Sequence, residues 1–309
     1  MGSFRLACGP CGDDSGLVKA LELVARSRLE LVDKPVPEPG PGEVRVAVRA
    51  CGICGSDLHG MDGSSGRRIP PVVMGHEASG VIDALGDGVG GWSLGERVTF
   101  DSTVWCGECR HCREGRVNLC DARQVIGVSC DEFRREGAFA DCVAVPARIM
   151  HRLPEILSFE DAAFAEPVGV ALHAVRRAGD VSGKSVMVVG AGLIGLLVVQ
   201  ALKRAGARQV IAVDVKQERF DLACALGADE GCMPEMAGGG LEADVVIEAA
   251  GTRASFAMAI RAAKKGGRVV LVGNLAAEVP MALQRVVTRE LDMLGSCAIA
   301  GEYPDALEA

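Results

Sequence analysis

Four cysteines, Cys106, Cys109, Cys112 and Cys120, crowd into WCGECRHCREGRVNLC, the run from Trp105 to Cys120. Thiols at this density pair as disulfides or, once deprotonated, bind a soft metal. The spacing C-x2-C-x2-C-x7-C closes a tetrahedral thiolate shell and leaves no position for a substrate, which points to a structural zinc. His111 stands between two of the four and is expected outside that shell. A sparser set lies upstream, in CGICGSDLHG (Cys51 to Gly60) and in Gly75-His76-Glu77. Catalytic zinc needs about three N, S or O ligands and one open position. Cys54, His76 and Glu77 could supply them from two separate loops. Zinc so held lowers the pKa of a bound alcohol, as it lowers that of water. On residue type alone, a buried structural cysteine and a hydrogen-bonded histidine also account for these positions.

A third chemistry-bearing run is Gly190-Ala191-Gly192-Leu193-Ile194-Gly195, which follows Val186-Met187-Val188-Val189. A buried strand opening into a helix through GxGxxG is the context that gives this pattern meaning. Gly190 permits the tight turn, Gly192 lets the backbone approach a pyrophosphate, and Gly195 allows close helix–strand packing. The helix N-terminus, with Leu193 and Ile194 in its first turn, offers partial positive charge to the phosphates. Asp214 follows 19 residues beyond Gly195, where a carboxylate accepts hydrogen bonds from ribose hydroxyls and repels a 2′-phosphate. NAD is therefore expected over NADP, with a solvated strand-end aspartate as the alternative. Arg208, Lys216 and Arg219 are nearby cations that soften this preference. Arg219 is placed with the cofactor residues, as are Val272, Gly273 and Asn274 at the end of a later strand.

Two different frameworks must hold these groups. At 309 residues the chain exceeds one ordinary core, so two domains are expected. From Val18 to about Val145 the pattern is β-rich: short alternating runs such as Glu43–Val48 and Arg97–Phe100 are broken by Gly/Pro punctuation, as in Pro35–Gly42. That predicts a small barrel or sandwich with long functional loops. Residues 158–177 carry helical apolar spacing interrupted at Pro167. Strands and helices then alternate: strands over 185–189, 210–213, 244–248 and 268–272, and helices from Leu193, Gln217 and Arg253. Such alternation builds a parallel sheet covered by helices. Residues 1–17 differ from the rest and are expected to be a loose leader; Cys8 and Cys11 there resemble a redox pair but lack its strand–helix context.

Composition narrows the class further. Apolar residues make up 49% and charged residues 24% of the chain, as in ordinary globular proteins. The net charge of −8 argues against nucleic acid or an anionic membrane as partner. No apolar run approaches the ~18 residues of a membrane helix, and no signal-peptide pattern opens the chain, so a cytoplasmic location is expected. Thirteen cysteines, an odd number in a chain of this length, favour metal ligation over a disulfide scaffold.

The stretch GHEASGVIDALGDGV, Gly75 to Val89, resembles the zinc signature of medium-chain alcohol dehydrogenases, with Gly75, Gly80 and Gly86 at the signature's glycine positions. CGICGSDLHG before it, and the cysteine run and GAGLIG after it, occur in that family's order and at similar distances. The resemblance covers about Val18 to Tyr303 and is nearest to the sorbitol, galactitol-phosphate and threonine dehydrogenase branch. It implies an α/β chain: a GroES-like β-barrel catalytic domain over 18–157, a Rossmann doubly wound NAD-binding domain over 158–298, and a remnant of the C-terminal catalytic segment over 299–309. It further implies two zinc ions per chain, a catalytic one on Cys54, His76 and Glu77 and a structural one on the four-cysteine run. Glu166, in Ala165-Glu166-Pro167-Val168-Gly169, matches the acidic residue near the metal in polyol enzymes, as a direct ligand or through water. Ser56 and His59 match the family's proton relay, which carries the substrate hydroxyl's proton to solvent. Asp57 is expected to help orient the ligands.

The resemblance thus implies hydride transfer from a secondary alcohol of polyol type to NAD, giving a ketone, in a homodimer or homotetramer. Two alternatives stay open: oxidation of an amino alcohol in the manner of L-threonine 3-dehydrogenase, and a truncated non-catalytic zinc- and NAD-binding relative. Two departures from the family pattern stand out. The connection between Asp229 and Asp244 is short and glycine-rich (Gly238-Gly239-Gly240), and the C-terminal return of the catalytic domain is missing from the chain as written. Reduced stability is the expected consequence. Arg67 and Arg68 precede the GHE loop and are expected to be a solvated pair.

Overall fold

A computed structural model describes Cys11, residues 16–237 and residues 240–309. The Cys8–Cys11 pair therefore lies partly outside the described residues, as does most of the expected leader. Gly238 and Gly239 lie outside them too. The chain divides into two compact units, one running to Glu166 and resuming at Ile299–Ala309, the other spanning Pro167–Ala298.

The first unit is built on antiparallel sheets. Five strands run in the order Met150–Arg152, Arg97–Phe100, Glu77–Leu85, Glu43–Gly52 and Cys142–Pro146. A second sheet orders Arg28–Pro35, Leu17–Ala25 and Val72–Val73. Alternate residues of a strand face opposite sides. Val44, Val46 and Val48 therefore point together into a core with Ala78, Ile82, Val98 and Phe100. Each fully buried aliphatic or aromatic side chain of this kind contributes about 1.5–3 kcal/mol. The catalytic-type loops leave from this rigid wall: Gly52 ends one long strand and Glu77 begins its neighbour, and the two are register partners.

The expected boundary at 157/158 lies ahead of the observed division. Residues 158–166 belong to the first unit because the helix Phe159–Ala163 packs on the barrel. Ser79 Oγ donates to the Phe159 carbonyl at 2.6 Å, and Thr99 Oγ1 donates to that of Ala162 at 3.4 Å. The interruption expected at Pro167 falls instead at Phe164, between Phe159–Ala163 and Ala165–Ala178. Pro167 sits in the first turn of the second helix, where its missing N–H costs nothing. Ile299–Ala309 docks on the same unit through Tyr303. That side chain is 1% exposed, its hydroxyl is 2.8 Å from Thr99 Oγ1, and its ring stacks on His151 at 4.5 Å.

The second unit is a six-stranded parallel sheet. Its order is Glu230–Cys232, Gln209–Val213, Ser185–Val189, Ala243–Glu248, Ala263–Leu271 and Asp292–Gly295. Ser185–Val189 is buried at every position, as a central parallel strand covered on both faces must be. One apolar cluster joins this strand to the helix Leu193–Arg204. Another joins the opposite face to Arg253–Ala262. Strand order reverses direction at Ser185–Val189, so a switch point opens between it and Ala243–Glu248, where open α/β sheets bind their ligands. The short connection after Asp229 contains a strand, Glu230–Cys232, and a one-turn helix, Pro234–Ala237. No described helix is long and apolar enough to cross a membrane.

Candidate active site

Cys54 caps the helix Gly55–Met61, while His76 and Glu77 enter from the start of the strand Glu77–Leu85. One ligand atom from each of the three converges so that all lie within 4.8 Å of one another. His76 and Glu77 are buried, at 6% and 4% exposure. Asp57 Oδ1 lies 3.4 Å from His76 Nδ1, which leaves Nε2 on the other side, 3.5 Å from Ser56 Oγ. Asp57 Oδ2 also accepts the Cys54 backbone N–H at 3.1 Å. Glu77 Oε1 is buried and finds no hydrogen-bond partner among the described residues. A buried carboxylate oxygen without a donor is costly, and a thiol, an imidazole and a carboxylate around one point form a donor set for zinc. The residues fit the metal.

The charged groups of the site act on one another. Burial would lower the His76 pKa, but the facing Asp57 carboxylate and Cys54 together hold the imidazole well above its usual value, and zinc would have to displace that proton because only the neutral ring ligates. Burial raises the Glu77 carboxyl. Burial likewise pushes Glu166 up to about 7; His76 opposes that rise, while Glu77 and Asp101 add to it. Glu166 is 7% exposed and accepts a hydrogen bond from Ser102 Oγ at 3.0 Å. It lies outside the converging trio of Cys54, His76 and Glu77, close enough to feel their charges.

Ser56 and His59 stand one turn apart on the helix Gly55–Met61, on one face by their i, i+3 spacing. Ser56 points toward His76, and the His59 side chain is 43% exposed, with Nδ1 4.0 Å from Asp62 Oδ2. Ser56 therefore reaches the His76 edge while being exposed itself, and His59 beside it is half-exposed.

The four-cysteine loop forms a second convergence. One sulfur each from Cys106, Cys109, Cys112 and Cys120 lies within 4.8 Å of all the others. The Glu108 and Cys109 N–H groups donate to Cys106 Sγ at 3.5 and 3.4 Å, and the Cys106 N–H donates to Cys120 Sγ at 3.3 Å. The Glu108 and Cys109 donors lower the Cys106 thiol to about 6, favouring the thiolate that a metal requires, whereas burial raises Cys120 and pushes Cys112 up to about 12. His111 stays outside the four-sulfur group, its Nε2 4.0 Å from Asp121 Oδ1. Every described cysteine is a free thiol.

In the second unit the glycine loop has the shape its sequence implies. Gly190 adopts φ +99°, a left-handed conformation that side chains resist. A Cβ on Gly195 would stand 1.8 Å from the Gly190 carbonyl oxygen, whereas one on Gly192 would meet no protein atom within 4 Å. The first pair makes the close strand–helix contact, and the second position faces open space. Gly192 caps the helix that begins with Leu193 and Ile194. Asp214 is 6% exposed and accepts N–H bonds from Ala191 at 2.9 Å and Lys216 at 3.0 Å, so it braces the glycine loop itself. Arg219 Nη1 lies 3.6 Å from Asp214 Oδ2. Arg208 turns away, donating to the Gly183 carbonyl.

Val272 and Gly273 both donate to the Glu248 carbonyl, at 2.9 and 3.1 Å, which sets Val272-Gly273-Asn274 beside the end of the neighbouring strand. Glu248 itself is 1% exposed and accepts the Ala250 and Gly251 N–H groups at 2.9 and 2.8 Å. Sequence reasoning passed over it, and a strand-end acid followed by Ala249-Ala250-Gly251 was the available signal. Arg68 departs from expectation. It is 7% exposed and ion-paired to Asp57 at 3.3 Å, while Arg67 is exposed.

Comparison with known proteins finds two family matches along the chain. The alcohol dehydrogenase GroES-like domain family matches residues 40–155, and the zinc-binding dehydrogenase family matches residues 194–309. A probable D-xylulose reductase A of Neosartorya fischeri is 34% identical, over 89% of this chain and 81% of the relative. An L-threonine 3-dehydrogenase of an Anaeromyxobacter species is 37% identical, over 85% of this chain and 78% of the relative. Among solved structures, an alcohol dehydrogenase (rspB) of E. coli CFT073 complexed with NADH superposes with a TM-score of 0.86 at 32% identity. That match covers 95% of this chain and 87% of the other.

Proposed function

Because the chain belongs to the zinc-binding alcohol dehydrogenase family, we propose that it oxidises a secondary alcohol of polyol or sugar-alcohol type to a ketone with NAD. The convergence of Cys54, His76 and Glu77 within 4.8 Å, with Ser56 Oγ beside His76, carries this reading. When bound, zinc on these three residues would polarise the substrate hydroxyl and the nicotinamide would take the hydride. The chain's own residues do the rest. Asp57 Oδ1 faces His76 Nδ1 across 3.4 Å as a charge partner, without a well-aligned hydrogen bond, and steers the ring from that side. Ser56 stands where it can accept the substrate's proton, and His59 offers that proton an exit to solvent. Glu166, held by Ser102, faces the site as a buried acceptor suited to a substrate with more than one hydroxyl. The proposed structural zinc on Cys106, Cys109, Cys112 and Cys120 shapes the loop and stays apart from the reaction.

NAD over NADP rests on Asp214, whose carboxylate repels a 2′-phosphate; Arg219, 3.6 Å away, is the cation working against that preference. The xylulose reductase relative supports the polyol class. A second reading, oxidation of an amino alcohol such as threonine, is favoured by the 37% identity to an L-threonine 3-dehydrogenase. Homodimer or homotetramer assembly is part of the proposal and is read by light scattering. The deciding experiment is NADH and NADPH formation with polyols, amino alcohols and simple alcohols, before and after chelation. Chelator-sensitive turnover of a polyol with NAD supports the first reading, and preference for threonine supports the second. Cofactor and zinc binding without any turnover would overturn both and leave a non-catalytic binding protein.

A further inference from the structure

Arg68 is an unusual residue to find behind a metal site. A guanidinium only 7% exposed is costly unless its charge is matched, and among the described residues this one is paired with Asp57, Nη2 to Oδ1 at 3.3 Å. Nη1 donates to the Arg67 carbonyl at 3.0 Å, and Nε has no partner among the described residues. Asp57, 2% exposed, meanwhile touches two of the three converging residues, the Cys54 N–H through Oδ2 and the His76 ring through Oδ1. The fold makes room for this arrangement. A Cβ on Gly60 would stand 2.2 Å from Arg68 Cγ, so the helix carrying Cys54's cap also carries the gap for the arginine stem. Arg68 is further fixed by its bridge to Ser129 and by the Ile69 N–H, which donates to the Ser129 carbonyl at 2.9 Å.

We infer that Arg68 is a positioning residue of the metal centre, setting the His76 ring and the Cys54 turn through the Asp57 carboxylate. The inference rests on the reading that Cys54, His76 and Glu77 hold zinc. A ligating imidazole is oriented by whatever its second nitrogen contacts, and a carboxylate free to rotate orients poorly. Pairing with a guanidinium locked between Gly60 and Ser129 removes that rotation. Lysine would supply the charge without the planar fork.

The test compares the whole protein with Arg68→Lys and Arg68→Met, reading metal release to a chelator and the visible ligand-field bands of the cobalt-substituted site. The four-cysteine site serves as an internal control for folding. Arg68→Met is expected to release the Cys54-site metal about tenfold faster and to shift the cobalt bands, with Arg68→Lys intermediate and the four-cysteine metal retained. Unchanged release and bands in folded Arg68→Met would overturn the inference. Should that variant fail to fold, Arg68→Lys and Gly60→Ala, which presses on the arginine without altering charge, carry the same readout. An unperturbed site in both would overturn it equally. Failure of the zinc reading itself shows separately: Cys54→Ser would then leave the wild-type metal count unchanged, and the inference would fall with it.

Discussion

Ser56 Oγ lies 3.5 Å from His76 Nε2, so the hydroxyl proposed for the relay abuts the imidazole edge opposite Asp57. A general base one hydrogen bond from a reacting proton contributes about 10²–10⁴-fold. Ser56→Ala is therefore expected to lower kcat by about 100-fold or more, with metal content and melting temperature unchanged. His59→Ala is expected to cost less, about tenfold, because water can reach its 43%-exposed position. Steady-state kinetics with metal analysis checks both. A Ser56→Ala enzyme of full activity would remove the residue from the relay.

Gly192 and Gly195 separate cofactor binding from folding. Gly192→Ala adds a methyl into space that no protein atom occupies within 4 Å. Stability is expected to hold while NADH affinity falls about tenfold or more, since the pyrophosphate is meant to fill that space. Gly195→Ala forces a Cβ to 1.8 Å from the Gly190 carbonyl, and overpacking of this kind costs about 1–3 kcal/mol. Nucleotide titration and thermal melts on the pair distinguish the two effects.

Asp244 ties the start of its strand to the sheet. It accepts from the Ser185 N–H at 2.8 Å, the Ser185 hydroxyl at 2.7 Å and Lys264 Nζ at 2.7 Å. The Lys264 ammonium and Ser185 hold its carboxyl below the usual value of 3.8. A depressed carboxylate stabilises the fold above the unfolded-state pKa and loses that contribution as pH falls through the folded one. Asp244→Asn is thus expected to cost about 1–2 kcal/mol at pH 7, with the gap to wild type narrowing below about pH 4. Urea unfolding at the two pH values measures it.

Cys109→Ser tests the division of labour between the metal sites. Loss of one thiolate from a closed shell should release that metal and lower Tm by about 5 °C. Turnover per folded molecule should stay within about twofold of wild type. Abolished turnover in a folded protein that retains the Cys54-site metal would assign the chemistry to the wrong cluster.

What sequence reveals here is local, and what it hides is tertiary. The strand Ser185–Val189 and its glycine turn are legible because the apolar run Val186-Met187-Val188-Val189, buried on both faces, leaves little choice. Both cysteine groups are legible because their ligands lie within one loop or flank one register. Arg28–Pro35 is an edge strand with no fully buried residue, so it lacks the apolar signal that marks its partners. Arg68 has the look of a solvated charge because its burial depends on Asp57 and on the absence of a side chain at Gly60. Tyr303 meets Thr99 across a separation of 204 residues, and Glu166 meets Ser102 across 64. No periodicity records such pairings.

The most direct measurement is zinc per chain and polyol-dependent NADH formation for wild type and Cys54→Ser, side by side. Wild type should carry two zinc ions, and Cys54→Ser should keep the four-cysteine metal and NADH binding while losing one zinc and all turnover. A Cys54→Ser protein that retains both metals and still oxidises the substrate would contradict the assignment of the reaction to Cys54, His76 and Glu77.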